Sequence, residues 1–245
     1  MIHRTIRWSI PVATFLLATS AYAHEREFTL SRDWFLPYKG ESEIESRTFV
    51  DTTHGEWLQE FEFEYGITDW FAIEPGIEIA EKPDKSEIEI EGVDLELRFH
   101  FMEFEYGKIL PALNVEYEHP SESDEPDSGE LKFIFSMYNK DGQDFALNFN
   151  AGRELEKEKH GESEMTFGYV RPFHEVDASE TAYFRSEPRF GAEAVHDFHE
   201  GFDRLGPLFV YRPTTHLNLL TSYVFALDDR GENSDEFRFI AEWEF

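Results

Sequence analysis

The sequence predicts an all-β chain, a transmembrane up-and-down antiparallel β-barrel of about twelve strands. Three observations carry that prediction. Apolar and charged residues alternate with a period of two from about Glu41 to the last residue. Tight turns alternate along the chain with longer, more acidic connections. Aromatic residues gather at the ends of the apolar faces, as they do at the two interfaces of a bilayer.

The strands can be read in order. Glu41–Val50 alternates loosely. Trp57–Tyr65 places Trp57, Phe61, Phe63 and Tyr65 opposite Glu60, Glu62 and Glu64, and Phe71–Ile79 sets Phe71, Ile73, Ile77 and Ile79 against Glu74 and Glu78. In Glu87–Phe101 the phase slips at Gly92: Ile88 and Ile90 precede it, then Val93, Leu95, Leu97 and Phe99 oppose Asp94, Glu96 and Arg98. A glycine at a phase slip predicts a β-bulge. Runs around Leu113–Tyr117, Leu131–Met137, Phe145–Phe149, Met165–Tyr169 and Leu217–Phe225 follow the same rule, and Phe237–Phe245 closes the chain. Ala182–Val195 and Leu205–Tyr211 are less regular, interrupted by Pro188 and Pro207. Runs of about ten residues suit strands that cross a bilayer at a tilt.

Composition narrows the class. The 245 residues include 22 Lys and Arg against 52 Asp and Glu, a formal charge of −30. That balance argues against nucleic acid as a partner, because phosphate must be neutralised by cationic side chains. No cysteine is present, which excludes a disulfide scaffold, a thiolate metal site and a thiol enzyme. Aromatic residues make up 16%, too many for an acidic disordered chain.

At the N-terminus, Arg4 and Arg7 precede the mostly apolar Trp8–Ser20, and Ala21-Tyr22-Ala23 supplies small residues before His24. This is the pattern of a secretory signal peptide over residues 1–23. Residues 24–40 are then expected as a periplasmic lead-in, with Trp34, Phe35 and Tyr38 plugging or docking at the rim, and residues 41–245 as the barrel. A soluble β-sandwich also alternates. The barrel is preferred because the turns at Gly66–Asp69, Asn139–Gln143 and Arg212–Thr215 are tight, whereas Glu118–Gly129, Arg153–Glu162 and Asp228–Asp235 are longer and acidic. Short periplasmic turns opposite longer outer loops describe an outer-membrane barrel. Trp57, Tyr65, Trp70, Tyr117, Tyr138, Tyr169, Tyr223 and Trp243 are expected in the girdles.

The ending FRFIAEWEF, Phe237–Phe245, resembles the C-terminal targeting strand of bacterial outer-membrane β-barrel proteins, with Phe239, Trp243 and Phe245 on one face. In that class the assembly machinery recognises the terminal aromatic residue. The resemblance implies a Gram-negative-type outer membrane, with the barrel-assembly machinery, membrane lipid and lipopolysaccharide as partners. The hairpin Glu60–Glu74, EFEFEYGITDWFAIE, is similar to the repeated strand, YG-[ILV]-TD turn and strand of outer-membrane proteins named for a phenol-degradation (MetA) pathway. That similarity covers one hairpin and implies a transport role.

If the apolar faces meet lipid, the polar faces line the interior. The expected pore-lining set is Glu60, Glu62, Glu64, Glu74, Glu78, Glu87, Glu89, Asp94, Glu96, Glu116 and Glu242, with Arg98, Lys132 and Arg238 as counter-charges. Twelve strands enclose a lumen wider than a side-chain-filled eight-stranded barrel, so small solutes can pass unless side chains or a loop block it. Carboxylate rings favour cations, which makes a passive channel for small, cationic solutes the leading expectation. The alternative is a structural or adhesive surface barrel whose acidic loops bind divalent cations or lipopolysaccharide. A third is a lipid-modifying enzyme. That chemistry needs a Ser–His pair at the outer rim, whereas Ser136 and Ser222 are phased inward and no Gly-x-Ser-x-Gly elbow occurs. No catalytic residue and no cofactor is therefore assigned. His196, Asp197 and His199 form the candidate metal cluster, since His-x-x-His beside acids suits transition metals.

Overall fold

The computed structural model describes residues 26–82, 87–122, 125–155, 161–174, 188–199, 201, 203–227 and 235–245. The expected signal peptide and His24 lie outside the described residues. Twelve strands are present: β1 (Ser42–Asp51), β2 (Trp57–Thr68), β3 (Phe71–Lys82), β4 (Glu87–His100), β5 (Leu110–Pro120), β6 (Ser128–Tyr138), β7 (Asp144–Glu154), β8 (Gly161–Pro172), β9 (Arg189–Asp197), β10 (Asp203–Thr214), β11 (Leu217–Ala226) and β12 (Glu236–Glu244). Each pairs antiparallel with its sequence neighbours, and β1 also pairs with β12, so the sheet closes into a barrel. Closure gives every strand a ladder on both sides, the arrangement that leaves no unpaired edge to face hydrocarbon.

The period-two pattern explains the two surfaces. Phe61, Phe63, Leu95, Phe133, Phe149, Phe167, Phe209 and Phe239 are exposed on the outside. Their neighbours Glu62, Glu64, Glu96, Asn148, Thr166 and Leu208 are buried inside. Between β3 and β4, Glu78 is opposite Gly92 while Ile79 is opposite Ile90. Glu91 is therefore the extra residue of a bulge, at the position where the sequence changes phase.

Two sequence expectations are corrected. Tyr138 is buried inside, 1% exposed, and does not belong to an outer girdle; it follows Met137 by one residue and so takes the opposite face. The connections also do not sort by length. The end where β1 begins and β12 finishes, here the terminal end, carries the turn between Thr68 and Phe71 but also residues 101–109 and 173–188. These exceed several connections at the far end, such as 52–56. Residues 101–109 are long because they cover a cluster inside the mouth, against which Phe104 and Tyr106 pack.

The largest departure concerns residues 26–39. This segment re-enters the barrel, where Phe28, Trp34, Phe35 and Leu36 are buried along with Arg26, Glu27, Arg32 and Asp33. Tyr38 alone of the three expected rim aromatics stays exposed. Phe28 packs among Ala146, Val170, Leu208, Val210, Leu220 and Ile240 from the walls of β7–β12. Gly168 makes room for it: a Cβ there would lie 2.3 Å from the Phe28 ring. Phe28→Ala should weaken docking of the segment by about 3–5 kcal/mol, since a buried ring leaves a cavity. Faster proteolysis within residues 26–39 of the folded protein would show it; unchanged protection would place the holding energy elsewhere.

Candidate functional site

The barrel interior is the site, and the re-entrant segment is half of it. Its path follows from its partners. The Arg26 backbone N–H donates to Glu242 Oε2 at 3.2 Å, and its carbonyl accepts from Asn218 Nδ2 at 2.6 Å. Three residues on, Thr29 Oγ1 lies 2.6 Å from Ser222 Oγ, four residues further along β11 toward the far end. The segment then turns. Thr29 Oγ1 and the N–H groups of Leu30 and Ser31 donate to the fully buried Glu193 carboxylate at 2.5, 2.7 and 3.2 Å. One carboxylate thus satisfies three donors at the tip, as buried backbone requires. The returning arm is held by Asn148, which accepts from the Arg32 N–H at 2.7 Å and donates to its carbonyl at 2.9 Å. Asp33 ties the loop to itself, accepting from the Glu27 and Phe35 N–H groups.

Near the mouth, Trp34 stacks on His100 with centroids 4.3 Å apart, and Phe35 and Phe104 lie against Tyr138. Gly66 lets the chain leave: a Cβ there would sit 2.1 Å from the Tyr38 carbonyl. The Gly40 N–H donates to the Gly66 carbonyl at 2.8 Å.

Charge divides the interior. Along β1–β4, Glu45, Arg47, Glu62, Glu64, Glu74, Glu96 and Arg98 are all buried. Arg32 enters this wall and pairs with Glu74 at 2.9 Å, Glu62 at 3.3 Å and Glu96 at 3.5 Å. Arg26 pairs with Glu45 at 2.7 Å, Arg47 pairs with Glu45, Glu62 and Glu60, and Arg98 pairs with Glu64. On the opposite wall Arg189 bridges Glu27 and Asp144. Such charges are tolerable away from water only when paired. The counter-charges therefore extend well beyond Arg98, Lys132 and Arg238. Arg26 and Arg32 escaped sequence reasoning because nothing in an aperiodic stretch says that it is enclosed.

The remaining candidates lie toward the far end. Glu60, Glu78, Glu89, Asp94, Glu116, Lys132 and Arg238 are half-buried there, and Glu242 is buried near the terminal end. Glu87 has its backbone in β4 and its side chain is outside the described residues. Two cavities open at the far end. One of about 650 Å³ is lined by Phe49, Leu58, Glu60, Glu91, Glu236 and Arg238 among others. The second, about 480 Å³, carries Glu116, Glu118, Glu125, Glu130, Glu154 and Glu162 against Arg153. Both mouths are thus strongly acidic.

Among the described residues, His54, His119 and His196 each lie beside an aspartate. His196 Nδ1 lies 2.7 Å from Asp203, and the His199 N–H donates to Asp197 at 2.7 Å. Among the described residues, His196, Asp197 and His199 do not form a three-ligand group. Other rim pairs are His54–Asp51 and His119–Asp127. The hydrogen bond that the His54 imidazole donates to Asp51 raises its pKa, and bonds donated by Tyr117 and His119 lower that of the Asp127 carboxyl. Phe239, Trp243 and Phe245 are exposed on the outer face at the chain's end.

No protein-family model matches the sequence, and no curated protein matches it. Solved structures do match its shape. The KdgM porin in complex with disordered oligogalacturonate superposes with a TM-score of 0.58 at 9% identity, over 83% of this chain and 99% of that one. The NanC porin superposes with a TM-score of 0.52 at 8% identity, over 82% and 98%. The fold is the closed antiparallel barrel of these structures. In this barrel the described N-terminal segment shares the interior with the wall residues, and the acidic cavities lie on its far side.

Proposed function

We propose that this chain is an outer-membrane channel for small cationic solutes whose lumen is closed at rest by its own residues 26–39. The supporting observation is the sequence of environments along the axis: acidic mouths at the far end, then a segment held by ion pairs and hydrogen bonds rather than by covalent links. Carboxylates around a mouth concentrate cations. The polyanion named with KdgM suits this mouth poorly, because like charges repel.

On this reading residues 1–23 direct export, the terminal end faces the periplasm, and the exposed Phe and Trp belt meets lipid. Phe239, Trp243 and Phe245 serve as the assembly signal, and the far end meets lipopolysaccharide. A structural barrel is the second reading, favoured by the number of hydrogen bonds and ion pairs that hold the segment.

Reversal potential in a planar bilayer under a salt gradient tests the solute class. Open events should be cation-shifted, and Glu116→Lys with Glu130→Lys should reduce the shift without changing the fold. An anion-shifted potential, or one indifferent to both substitutions, would remove the acidic mouth from the mechanism.

A further inference from the structure

The seam where the barrel closes brings three carboxylates together. Glu43 of β1 is opposite Glu244 of β12, and Glu242 lies two residues before it on the same face. All three are buried, and one oxygen from each lies within 4.8 Å of the others. Two oxygens on opposite sides of a calcium ion sit about 4.6–5.2 Å apart, given Ca–O distances of about 2.3–2.6 Å.

A cluster of acids alone would not distinguish a site from crowded wall residues, but three further observations point to a ligand. Glu43 is 6% exposed, and its carboxylate has neither a hydrogen bond nor an ion pair among the described residues. Glu64, opposite Glu43 on β2, keeps Oε1 buried without a partner, and Glu242 does the same with its Oε1. Between them is a space with room for about one water-sized sphere, lined by Glu43, Glu45, Glu64, Glu242 and Asp33 together with Arg26, Arg32 and Arg98. Arg98 pairs with Glu64, Arg26 and Arg47 pair with Glu45, and Arg212 pairs with Glu244 at 3.3 Å, so among the described residues no guanidinium is paired with Glu43 or Glu242. Carboxylates away from water need a cation or protons.

We propose that Glu43, Glu242 and Glu244, with Glu64 completing the set, bind one calcium ion. The ligands are hard carboxylate oxygens, which suit calcium. The space is too small for the hydration shell that magnesium keeps. The ion would clasp the first strand to the last. Through Glu242, which accepts from the Arg26 N–H, it would also steady the entry of the re-entrant segment.

The test is calcium content of the full mature chain folded in detergent, after dialysis against a calcium buffer, compared with Glu43→Gln, Glu244→Gln and the surface control Glu103→Gln. The expected result is one calcium ion per chain in the parent and the control, and loss of that ion in folded Glu43→Gln or Glu244→Gln. Thermal melting of the unmodified protein supplies a measurement that needs no variant: calcium should raise the midpoint by several degrees over chelator, and equimolar magnesium should raise it less. Equal calcium in parent and seam variants would mean that surface acids hold it and would overturn the site. Absence of tightly bound calcium together with an indifferent melt would also overturn it, leaving protons to balance the carboxylates.

Discussion

Removing residues 26–36 should turn a closed barrel into a conducting one. In the full chain this stretch packs Phe28 and Arg32 across the interior and covers the terminal mouth with Trp34 and Phe35. Without it, a twelve-stranded wall encloses a lumen wide enough for small solutes. Planar-bilayer recordings should show discrete steps from the shortened chain and long closed periods from the full one. A gentler variant makes the same point. Gly168→Val adds a side chain where a Cβ already meets the Phe28 ring at 2.3 Å, so the tip must move while the β7–β8 ladder remains. Its open time should fall between those of the other two chains. Equal conductance in all three would mean that the segment does not gate the barrel.

The second large effect is expected at Arg32. Its guanidinium is 4% exposed and meets Glu62, Glu74 and Glu96 together. Arg32→Met keeps most of the stem and removes the charge, leaving three carboxylates short of a partner. Breaking a buried pair in this way costs about 3–5 kcal/mol. A fall in the melting midpoint, with earlier protease access to residues 26–39, would register that cost. Adding Glu74→Gln should return part of the loss, because it removes one of the stranded charges, and the coupling between the two substitutions measures the contact itself. Independent, additive effects would show that Arg32 is held by packing alone.

Much of this architecture is written locally. Strand period, the inward and outward faces and the bulge beside Gly92 each depend on residues one or two positions apart, because side chains on a strand alternate whatever lies far away. Glu62, Glu64, Glu74 and Glu96 could be phased from their neighbours alone. Tyr138 shows the limit: a composition-based expectation of girdles placed it outside, while its own parity placed it inside. The lengths of residues 101–109 and 173–188 likewise broke a rule about loops, in the first case for the sake of a cluster that no local pattern announces.

What only the tertiary structure decided is the content of the barrel. Residues 26–39 have no period, and their partners are remote: Arg26 meets Glu242 across 216 positions, and Thr29 meets Glu193 across 164. The charge of Arg32 looks like any solvated arginine until closure of the sheet brings Glu62, Glu74 and Glu96 around it. The same holds at the seam, where Glu43 and Glu244 become neighbours only because the first strand pairs with the last. Alternation decides which way a side chain points, and closure decides what it finds there.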